Sequence, residues 1–571
     1  MTTTDQAEKK NLETFLAEID QELSKVRPYL GWDFKRSGLE IHHCREPVCS
    51  LFRVKTLASA EDHSNTSFII EVLTETKEVT EVTVPNKLLT RNAPAALDIM
   101  SDKGFLPYAD AKCIRQMITT WPRTGRQTLA TNLGWHDRDF FVLATGEVLT
   151  APDYRDGVVY SQKATAQASG SLEGWKQGIG RLAIGNPYLI FVCCAAFAGA
   201  ILPFIPNAQS FGVHLFLGTS TGKSKLLQAA ESVWPRSLTK KLKTWRSTGN
   251  ALEGQMVEAN NTVLCMDELP KSQRSFSLAD VIYMLGNEAG KGRATKEGNA
   301  TSRASWKTIM LSTGEDSMLQ TLEWSGEKVR GGIEVRMLDV PIEARFGAFD
   351  CLHELPDGRT FADRIGTEAN TNFGHAGPAF VSKLIKNPQV FDRMATRVSE
   401  LEPELLKELG PQERVASEIP RIIRQFAVIA YAGTLATQAG VTGWKEEDIL
   451  PSMQHVVRQW FAARDGAMSS DLRTVVKSIQ RYVHALQSEE RFPLNRAKEA
   501  KGPKVFEDEN FFYFLKTPFI DAIDGVAKAT ACKELKEAGL LIPPKEDGDM
   551  TRISDKDRSR TYKIAKSIMD R

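Results

Sequence analysis

The chain has 571 residues, of which 42% are hydrophobic and 25% charged, a composition typical of a folded protein and unlike that of a long disordered tract. Its 73 basic and 72 acidic residues leave a net charge of +1, which excludes a globally basic surface and confines any nucleic-acid contact to a local patch. Because a single hydrophobic core seldom grows beyond about 250 residues, this length predicts several domains.

The beginning of the chain is predicted to be helical and then β-rich. Apolar residues at three- and four-residue spacing predict a helical N-terminal extension over residues 1–37. Short alternating apolar runs, broken by Asn, Asp and Gly, predict a β-rich N-terminal domain over residues 38–155, with a helix near 109–120. A polar linker and a buried helix follow over residues 170–206.

The buried helix contains a run that imitates a membrane span. Residues 188–205 carry no charge over about the minimum length that crosses a bilayer. Their small residues, Cys193, Cys194 and Pro203 favour a helix buried by protein on all sides. The eight cysteines are scattered, and the first residues lack the pattern of a secretory signal. We therefore expect a cytoplasmic protein with no membrane partner.

The remainder is predicted to contain an α/β core, a helical region and a small terminal domain. Short apolar runs alternate with helical stretches over residues 207–365, as in a sheet with crossover helices. Helical periodicity over residues 366–500 predicts a bundle or lid. Two helical runs, a glycine turn and a hairpin pattern over residues 505–571 indicate a winged-helix-like domain.

The strongest motif is LGTSTGKSKLL at residues 217–227, directly between the apolar run VHLFL and a helical pattern. In that context backbone N–H groups face phosphates, the lysine reaches the β- and γ-phosphates, and the hydroxyl after it binds Mg²⁺. Leu217 stands where the first glycine of the usual pattern falls, and Gly218 follows one position later. The residues predicted to bind ATP are Gly218, Thr219, Ser220, Thr221, Gly222, Lys223 and Ser224, and Ser224 is also a predicted Mg²⁺ ligand.

Two further apolar runs end in polar residues. NTVLCMDEL ends in Asp267 and Glu268, 44 residues after Lys223. Asp267 is predicted to hold Mg²⁺ through water, and Glu268 to orient or deprotonate the attacking water. WKTIMLST ends in Ser312 and Thr313, which reach the same sheet edge if the strands are parallel. Either side chain would contact the γ-phosphate or the water, and Thr313 is the preferred one.

An arginine is expected to act on the nucleotide of a neighbouring subunit. In KVRGGIEVRMLDVPI, Arg336 lies between a Gly-Gly turn and an apolar strand, and Arg330 precedes that turn. A guanidinium presented to a neighbour's ATP stabilises the charge that develops on the γ-phosphate. Arg336 completes the predicted catalytic set with Lys223, Glu268, Ser312 and Thr313, but the sequence does not decide between Arg336 and Arg330.

A segment rich in Gly, Lys, Arg, Ser and Thr, residues 283–306, interrupts the core between its second and third strands. It predicts a hairpin with its tip near residues 296–299. Basic side chains on such a hairpin would track a phosphate backbone, although a solvated basic loop has the same composition. The predicted DNA-binding residues are Lys291, Arg293, Lys296 and Arg303.

One cluster of metal-ligating residue types lies in the β-rich domain, where IHHCREPVC brings His42, His43, Cys44 and Cys49 together. The loose C-x4-C spacing, with no second Cys or His pair at a finger-like distance, argues against zinc. Whether these four residues bind a metal is left open.

Taken in order, these motifs resemble a family of helicase-like AAA+ ATPases carried by phages, plasmids and integrated islands, similar to superfamily III and minichromosome-maintenance helicases. The resemblance covers about residues 38–540 and also rests on NFGHAGPAF at residues 372–380 and on RQFAVIAYAGTLA. It implies an α/β AAA+ P-loop NTPase core with ATP and Mg²⁺ as cofactors.

The same resemblance implies a hexameric ring of identical subunits that unwinds DNA in the replication of a mobile element. The partner would be single-stranded or forked DNA, bound without sequence preference, and Arg336 would act across the subunit interface. No primase-type metal constellation precedes the core, so a helicase that works with a separate primase is expected. The alternative is an ATP-dependent initiator, defence or remodelling switch that binds nucleic acid or protein without unwinding.

Overall fold

The chain forms two compact units, Met1–Ala166 and Gln167–Arg571. In this computed structural model the residues whose structure is described are 12–26, 32–123, 125–154, 157–218, 222–239, 241–270, 276–291, 303–327, 332–410, 416–464, 468–486, 490–494, 505–523, 526–544, 548–552 and 560–570.

The first unit is rich in β-structure, as predicted. Its described helices are α1 (Leu12–Leu23), α2 (Asn86–Arg91), α3 (Ala93–Ser101) and α4 (Ala111–Thr120). Its described strands are β1 (Phe34–Ser37), β2 (Glu40–His43), β3 (Glu46–Ser50), β4 (Phe52–Ser59), β5 (Ser67–Leu73), β6 (Val79–Pro85), β7 (Arg126–Ala130), β8 (Gly134–His136), β9 (Phe140–Val142), β10 (Val148–Thr150) and β11 (Gly157–Tyr160). A two-residue strand, β12 (Ala166–Gln167), lies at the boundary between the units.

Three sheets organise this unit. The largest has the strand order β11-β7-β4-β5-β6, and the others have the orders β1-β2-β3 and β10-β9-β8. Burial alternates along β4, as expected for a strand with one face on a core. Phe15 and Ile19 of α1 are buried in the same core as Phe52 and Trp121. The apolar stripe that predicted the N-terminal helix is therefore the face that α1 buries.

The second unit contains the predicted α/β core and the helical region. Its described helices are α5 (Leu172–Trp175), α6 (Arg181–Ala183), α7 (Pro187–Ile201), α8 (Lys223–Glu231), α9 (Gly249–Glu258), α10 (Leu278–Asn287), α11 (Met318–Trp324), α12 (Gly358–Thr371), α13 (Ala376–Lys386), α14 (Gln389–Leu406), α15 (Glu418–Gln438), α16 (Ile449–Ala463), α17 (Ser470–Ala485), α18 (Lys516–Ala522) and α19 (Lys528–Glu537). Its described strands are β13 (Phe211–Phe216), β14 (Arg236–Ser237), β15 (Lys243–Thr244), β16 (Val263–Asp267), β17 (Ile309–Gly314), β18 (Met337–Pro341), β19 (Arg491–Pro493), β20 (Val505–Glu507), β21 (Phe511–Phe514), β22 (Thr551–Arg552) and β23 (Arg560–Ala565).

A parallel five-stranded sheet forms the centre of the core. Its strand order is β15-β16-β17-β13-β18, and every neighbouring pair is parallel. The four apolar runs of the sequence become β13, β16, β17 and β18, so the carboxyl ends of these strands lie at one edge. Strand order reverses around β13, and in open α/β sheets ligands bind at such a point.

Helix α7 is a core helix of this unit. It is apolar and, extended to Phe204, long enough to cross a membrane, but 83% of that 18-residue window is buried inside the structure. A methyl group added at Gly433 of α15 would lie 2.2 Å from Cys194 Sγ, which shows how closely α7 and α15 pack. This burial supports the predicted core helix.

The helical region is confirmed, and its last helix packs with the C-terminal strands. α15 is followed by Gly440 in a left-handed conformation, which is a common way for a helix to end. The C-terminal sheet has the order β19-β20-β21-β23-β22. Val475 of α17 shares a core with Phe514, Phe519 and Tyr562, so α17 joins the strands and helices that follow it.

Candidate nucleotide site

The described part of the loop between β13 and α8 contains two glycines, Gly218 and Gly222, and Thr219, Ser220 and Thr221 lie outside the described residues. Gly222 precedes α8 with φ +98°, a conformation that favours glycine. A methyl group at Gly222 would lie 2.7 Å from the Phe349 ring, whereas one at Gly218 would meet no atom of the described structure within 4 Å. Gly222 therefore has both a conformational and a steric requirement, and Gly218 has neither.

Lys223 and Ser224 begin the first turn of α8, directly after this loop. Lys223 Nζ donates to the carbonyl oxygens of Leu217 at 2.5 Å and of Gly218 at 2.6 Å, so the ammonium lies inside the loop. Burial lowers the pKa of Lys223, and the charges of Glu315 and Asp267 oppose that shift. The predicted phosphate-binding lysine thus lies within the electrostatic reach of both carboxylates.

Asp267 and Thr313 meet at the carboxyl ends of β16 and β17. Thr313 Oγ1 donates to Asp267 Oδ1 at 2.5 Å, and the backbone N–H of Glu268 donates to the same oxygen at 3.1 Å. Leu269 N also donates to the Thr313 carbonyl at 2.9 Å, which fixes the chain after the strand end. The structure therefore brings together two of the predicted site residues, and Thr313 is a hydrogen-bond partner of Asp267.

Glu268 is held in an unusual backbone conformation. Its φ is +56°, in the left-handed region that non-glycine residues seldom adopt, and its side chain is exposed. Such conformations cost about 1–3 kcal/mol and are concentrated at functional sites. The chain turns away from β16 immediately after Asp267. The two adjacent carboxylates therefore differ in their surroundings, because Asp267 accepts a hydrogen bond from Thr313 and Glu268 is exposed.

Ser312 requires a correction, because the structure does not bring it to this edge. Side chains alternate along a strand, and Ser312 is fully buried on the face opposite to Thr313. Trp245 Nε1 donates to Ser312 Oγ at 2.9 Å, and Ser312 Oγ lies 2.9 Å from His214 Nδ1. Ser312 therefore belongs to a buried hydrogen-bonded chain and has no place beside a γ-phosphate.

His214 continues that chain as a neutral imidazole. Its Nε2 lies 3.0 Å from the carbonyl oxygen of Asp316, an acceptor that requires Nε2 to carry the proton. Ser312 accepts from Trp245 and so donates its hydroxyl proton to His214 Nδ1. Burial lowers the pKa of His214 to about 4, in agreement with a neutral ring.

Glu315 is a site residue that the sequence analysis missed. It follows Gly314, the last residue of β17, whose carbonyl accepts from Leu217 N at 3.4 Å. This places Glu315 next to the start of the phosphate loop, consistent with its effect on the pKa of Lys223. The available signal was its position two residues after Thr313, in LSTGE.

Arg336 lies against its own chain. Its Nη1 donates to the Gly332 carbonyl at 2.9 Å, and its guanidinium carbon lies 5.1 Å from the centre of the Tyr283 ring of α10. A methyl group at Gly286 would lie 2.7 Å from Arg336 Cδ. The side chain is therefore packed between α10 and the turn before β18. The competing Arg330 lies outside the described residues.

The predicted hairpin is described only at its root. Ala289 and Ser305 form an antiparallel bridge, and Gly290 N donates to the Ala304 carbonyl at 2.8 Å. Of the predicted DNA-binding residues, Lys291 and Arg303 are exposed at this root, and Arg293 and Lys296 lie outside the described residues. The antiparallel root agrees with a hairpin that leaves the core between α10 and β17.

The histidines and cysteines of the IHHCREPVC segment have separate surroundings in the structure. His42 pairs with Glu40 at 3.0 Å, and His43 stacks on Trp32 with ring centres 4.2 Å apart. Cys44 is exposed and Cys49 is buried. Among the described residues, no three His, Cys, Asp or Glu side chains are grouped so that they could hold a metal ion.

Fold and site together define a parallel α/β core of the P-loop kind, with a glycine loop at a helix start and polar residues at the adjacent strand ends. Residues 31–305 match the model of a domain of unknown function, DUF927. No curated protein matches the sequence.

The chain shares its fold with the SCCmec type IV Cch protein, an active helicase. The TM-score is 0.67 at 16% identity, and the match covers 94% of this chain and 99% of that one. The apo C-terminal region of NrS-1 matches with a TM-score of 0.22 at 10% identity, over 64% of this chain and 85% of that one, and supports no conclusion.

Proposed function

We propose that this chain is an ATP-hydrolysing motor of the AAA+ type that translocates on DNA, and that it acts as the replicative helicase of a mobile genetic element. The observation that carries the proposal is the hydrogen bond between Thr313 and Asp267 at the sheet edge where Lys223 and the phosphate loop lie. This hydrogen bond orients a carboxylate at the strand end next to the loop that carries Lys223, which is the arrangement that a Mg²⁺-ATP site needs.

The donor set fits Mg²⁺ bound together with ATP. Mg²⁺ is usually held by one or two carboxylates and by substrate phosphates, and rarely by a cage of protein ligands alone. Asp267 offers one carboxylate at the end of β16, and Ser224 offers one hydroxyl in the first turn of α8. When bound, Mg²⁺ with ATP neutralises charge on the β- and γ-phosphates.

The chain's own residues then have separate tasks. Lys223 leaves the carbonyls of Leu217 and Gly218 to contact the β- and γ-phosphates, and the first turn of α8 supplies backbone N–H groups. Glu268 orients or deprotonates the attacking water, because its carboxylate is exposed beside Asp267. Thr313 fixes the orientation of Asp267.

Several features support DNA as the partner. The hairpin root presents Lys291 and Arg303 to solvent, where basic side chains would follow a phosphate backbone. A chain with the same fold over nearly its whole length is an active helicase. The elements from α17 to β23 run helix, strands, two helices and two strands, and we assign them to a winged-helix-like domain that contacts DNA or protein.

The proposal includes a hexameric ring of identical subunits, bound to single-stranded or forked DNA and working with a separate primase. In such a ring an arginine of one subunit reaches the nucleotide of the next. Arg330 and Arg336 are the candidates on either side of the Gly-Gly turn.

The test is ATP hydrolysis by the wild type and by Lys223→Ala, with and without single-stranded DNA. We expect DNA to stimulate the wild type and the variant to lose about 100-fold or more of its turnover, since charge stabilisation at the phosphates is removed. Lys225→Ala is the matched control, because Lys225 Nζ lies beside Gly366 of α12 and away from the loop. Turnover without any response to DNA would favour a switch that does not unwind.

A further inference from the structure

A cluster of buried charges lies at the amino end of β18. Arg464 Nη2 lies 3.1 Å from Glu334 Oε2 and 3.2 Å from Glu418 Oε1. Arg473 Nη2 pairs with the other carboxylate oxygen of Glu334, and Arg473 Nη1 donates to the Arg464 carbonyl at 2.5 Å. Glu334, Arg464 and Arg473 are each 8% exposed. The cluster therefore combines two guanidinium groups with two carboxylates away from water.

The residues that meet in this cluster come from four different elements. Glu334 belongs to the turn before β18, and Glu418 begins α15. Arg464 follows the last residue of α16, and Arg473 lies in the first turn of α17. The cluster thus joins one edge of the core sheet to three helices.

Charged side chains are a costly way to fill this space. Burial lowers the pKa of Arg464, and the charge of Arg473 lowers it further, although Glu334 and Glu418 oppose these effects. Apolar side chains of similar volume are often as stabilising as a buried ion pair, or more so. What the charges add is direction, because a paired guanidinium holds a carboxylate in one orientation.

Glu334 belongs to residues 332–336, a segment that we call the arginine turn. Gln425 of α15 donates to the Val335 carbonyl of this turn at 2.7 Å. The Arg336 guanidinium packs on α10. Three successive residues of the turn are therefore held by different elements, and its position depends on all of them.

The arginine turn lies at the sheet edge opposite to its own phosphate loop. The turn precedes β18 and the loop follows β13, and these two strands are parallel neighbours. The five residues of β18 separate the two edges by about 13 Å. An arginine at this edge lies away from its own nucleotide, which agrees with action on the nucleotide of a neighbouring subunit.

We propose that Arg464 and Arg473 are positioning residues for hydrolysis, which act through Glu334 on the arginine turn. They hold the turn where Arg336, or Arg330 two residues before the turn, contacts the γ-phosphate bound to the next subunit. A displacement of about 1 Å at such a site can cost about 100-fold in turnover. Helix α17 is by this inference a working part of the motor. The inference rests on the proposed function.

The first experiment replaces the charges by uncharged side chains of similar size in one full-length chain. This apolar variant carries Glu334→Met, Arg464→Leu, Arg473→Met and Glu418→Gln. We expect its melting temperature to equal or exceed that of the wild type, and its affinity for a fluorescent ATP analogue to be unchanged. Its ATP turnover with single-stranded DNA should fall about 10–100-fold. A stable apolar variant with normal turnover would reduce the cluster to a structural role and overturn the proposal.

Two single substitutions accompany the apolar variant. Arg458→Met removes an ion pair with Glu408 from the same helix α16 and should leave turnover unchanged. An equal loss of turnover in Arg458→Met would assign the effect to α16 as a whole and contradict the proposal. Gln425→Met removes the contact to Val335 and should lower turnover several-fold without weakening nucleotide binding. If the apolar variant does not fold, normal turnover in Gln425→Met overturns the proposal.

Mixed assemblies test whether the turn acts across the subunit interface. The apolar variant keeps its phosphate loop, and Lys223→Ala keeps its arginine turn. When the two chains are co-expressed with different tags and purified together, we expect more turnover than either gives alone, because some intact loops then face an intact turn. The absence of any gain would place the defect within the subunit that carries it and overturn the proposal. If the wild type hydrolyses no ATP, the proposed function itself fails, and that result is distinct from the others.

Discussion

Thr313 Oγ1 and Asp267 Oδ1 lie 2.5 Å apart, across the ends of two neighbouring parallel strands. A carboxylate that holds Mg²⁺ through water must keep a fixed orientation, and groups that orient a metal ligand typically contribute 10–100-fold to activity. We expect Thr313→Val to lower ATP turnover by about 10–100-fold. Nucleotide binding should change little, because Lys223 and the loop remain. Steady-state turnover and equilibrium binding of a fluorescent ATP analogue measure the two effects separately.

Two neighbouring substitutions control for this prediction. Thr313→Ser retains the hydroxyl and should retain most of the turnover. Ser312→Ala removes the next hydroxyl along β17, but its partners are Trp245 and His214 in the core. It should lower stability by about 1–3 kcal/mol per unpaired group and leave the folded enzyme active. Equal losses of turnover for Thr313→Val and Ser312→Ala would contradict the assignment.

Glu268 has an exposed carboxylate and a left-handed backbone conformation. Two different substitutions can separate the effect of the carboxylate on hydrolysis from the effect of the backbone conformation on stability. We expect Glu268→Gln to bind ATP and to lose at least about 100-fold of its hydrolysis, since a positioned base contributes about 10²–10⁴-fold. Glu268→Gly should be as inactive, but without any loss of thermal stability, because glycine adopts this φ without strain. Normal turnover in Glu268→Gln would remove Glu268 from the catalytic set.

We expect replacement by alanine to have opposite effects on nucleotide binding at the two glycines of the phosphate loop. Gly222→Ala places a methyl group 2.7 Å from the Phe349 ring at φ +98°, so the loop must shift and nucleotide binding should be lost. Gly218→Ala meets no atom of the described structure within 4 Å and should bind normally. Calorimetric titration with ATP compares the two variants. Loss of binding in Gly218→Ala would show that the loop closes more tightly around the nucleotide than the geometry of Gly218 indicates.

The core strands and the most strongly periodic helices were predictable because local patterns determine them. The runs around Val213, Leu264, Leu311 and Leu338 are short, apolar and bounded by turn residues, and each is a strand of the sheet. The burial of α7 was also predictable, since an uncharged run interrupted by small residues suits a protein core. Strand order, in contrast, depends on long-range pairing that no single segment encodes.

The sequence predicted which polar residues lie at the ends of the core strands. It predicted less well those contacts that depend on the direction in which a side chain points. Asp267 and Thr313 were expected at one edge, and Thr313 was preferred. Ser312 stayed in the predicted set because the choice between them depends on which face of β17 is covered. Arg336 packs on Tyr283 of α10, a contact between residues 53 positions apart. Glu315 was missed because its role depends on its proximity to Lys223 in space.

The buried His214 makes the core sensitive to acid. Burial holds its pKa at about 4, below the ordinary value of 6.5, so the folded chain keeps the imidazole neutral while the unfolded chain protonates it. Between pH 6.5 and about 4 the unfolded state binds more protons, and stability therefore falls as pH falls. At about 1.36 kcal/mol per pKa unit, the full effect is about 3 kcal/mol.

His214→Gln replaces the titrating ring with a neutral amide and should remove this part of the acid sensitivity. Hydrogen exchange of the β13 and β17 amides, followed by mass spectrometry, reports the local free energy of opening. We expect the wild type to lose more protection than His214→Gln as pH is lowered from 6.5 towards 4, with similar protection above 6.5 after allowing for any constant offset. Parallel losses in the two proteins would mean that other groups dominate the titration, and that the Ser312–His214–Asp316 chain does not hold the imidazole neutral.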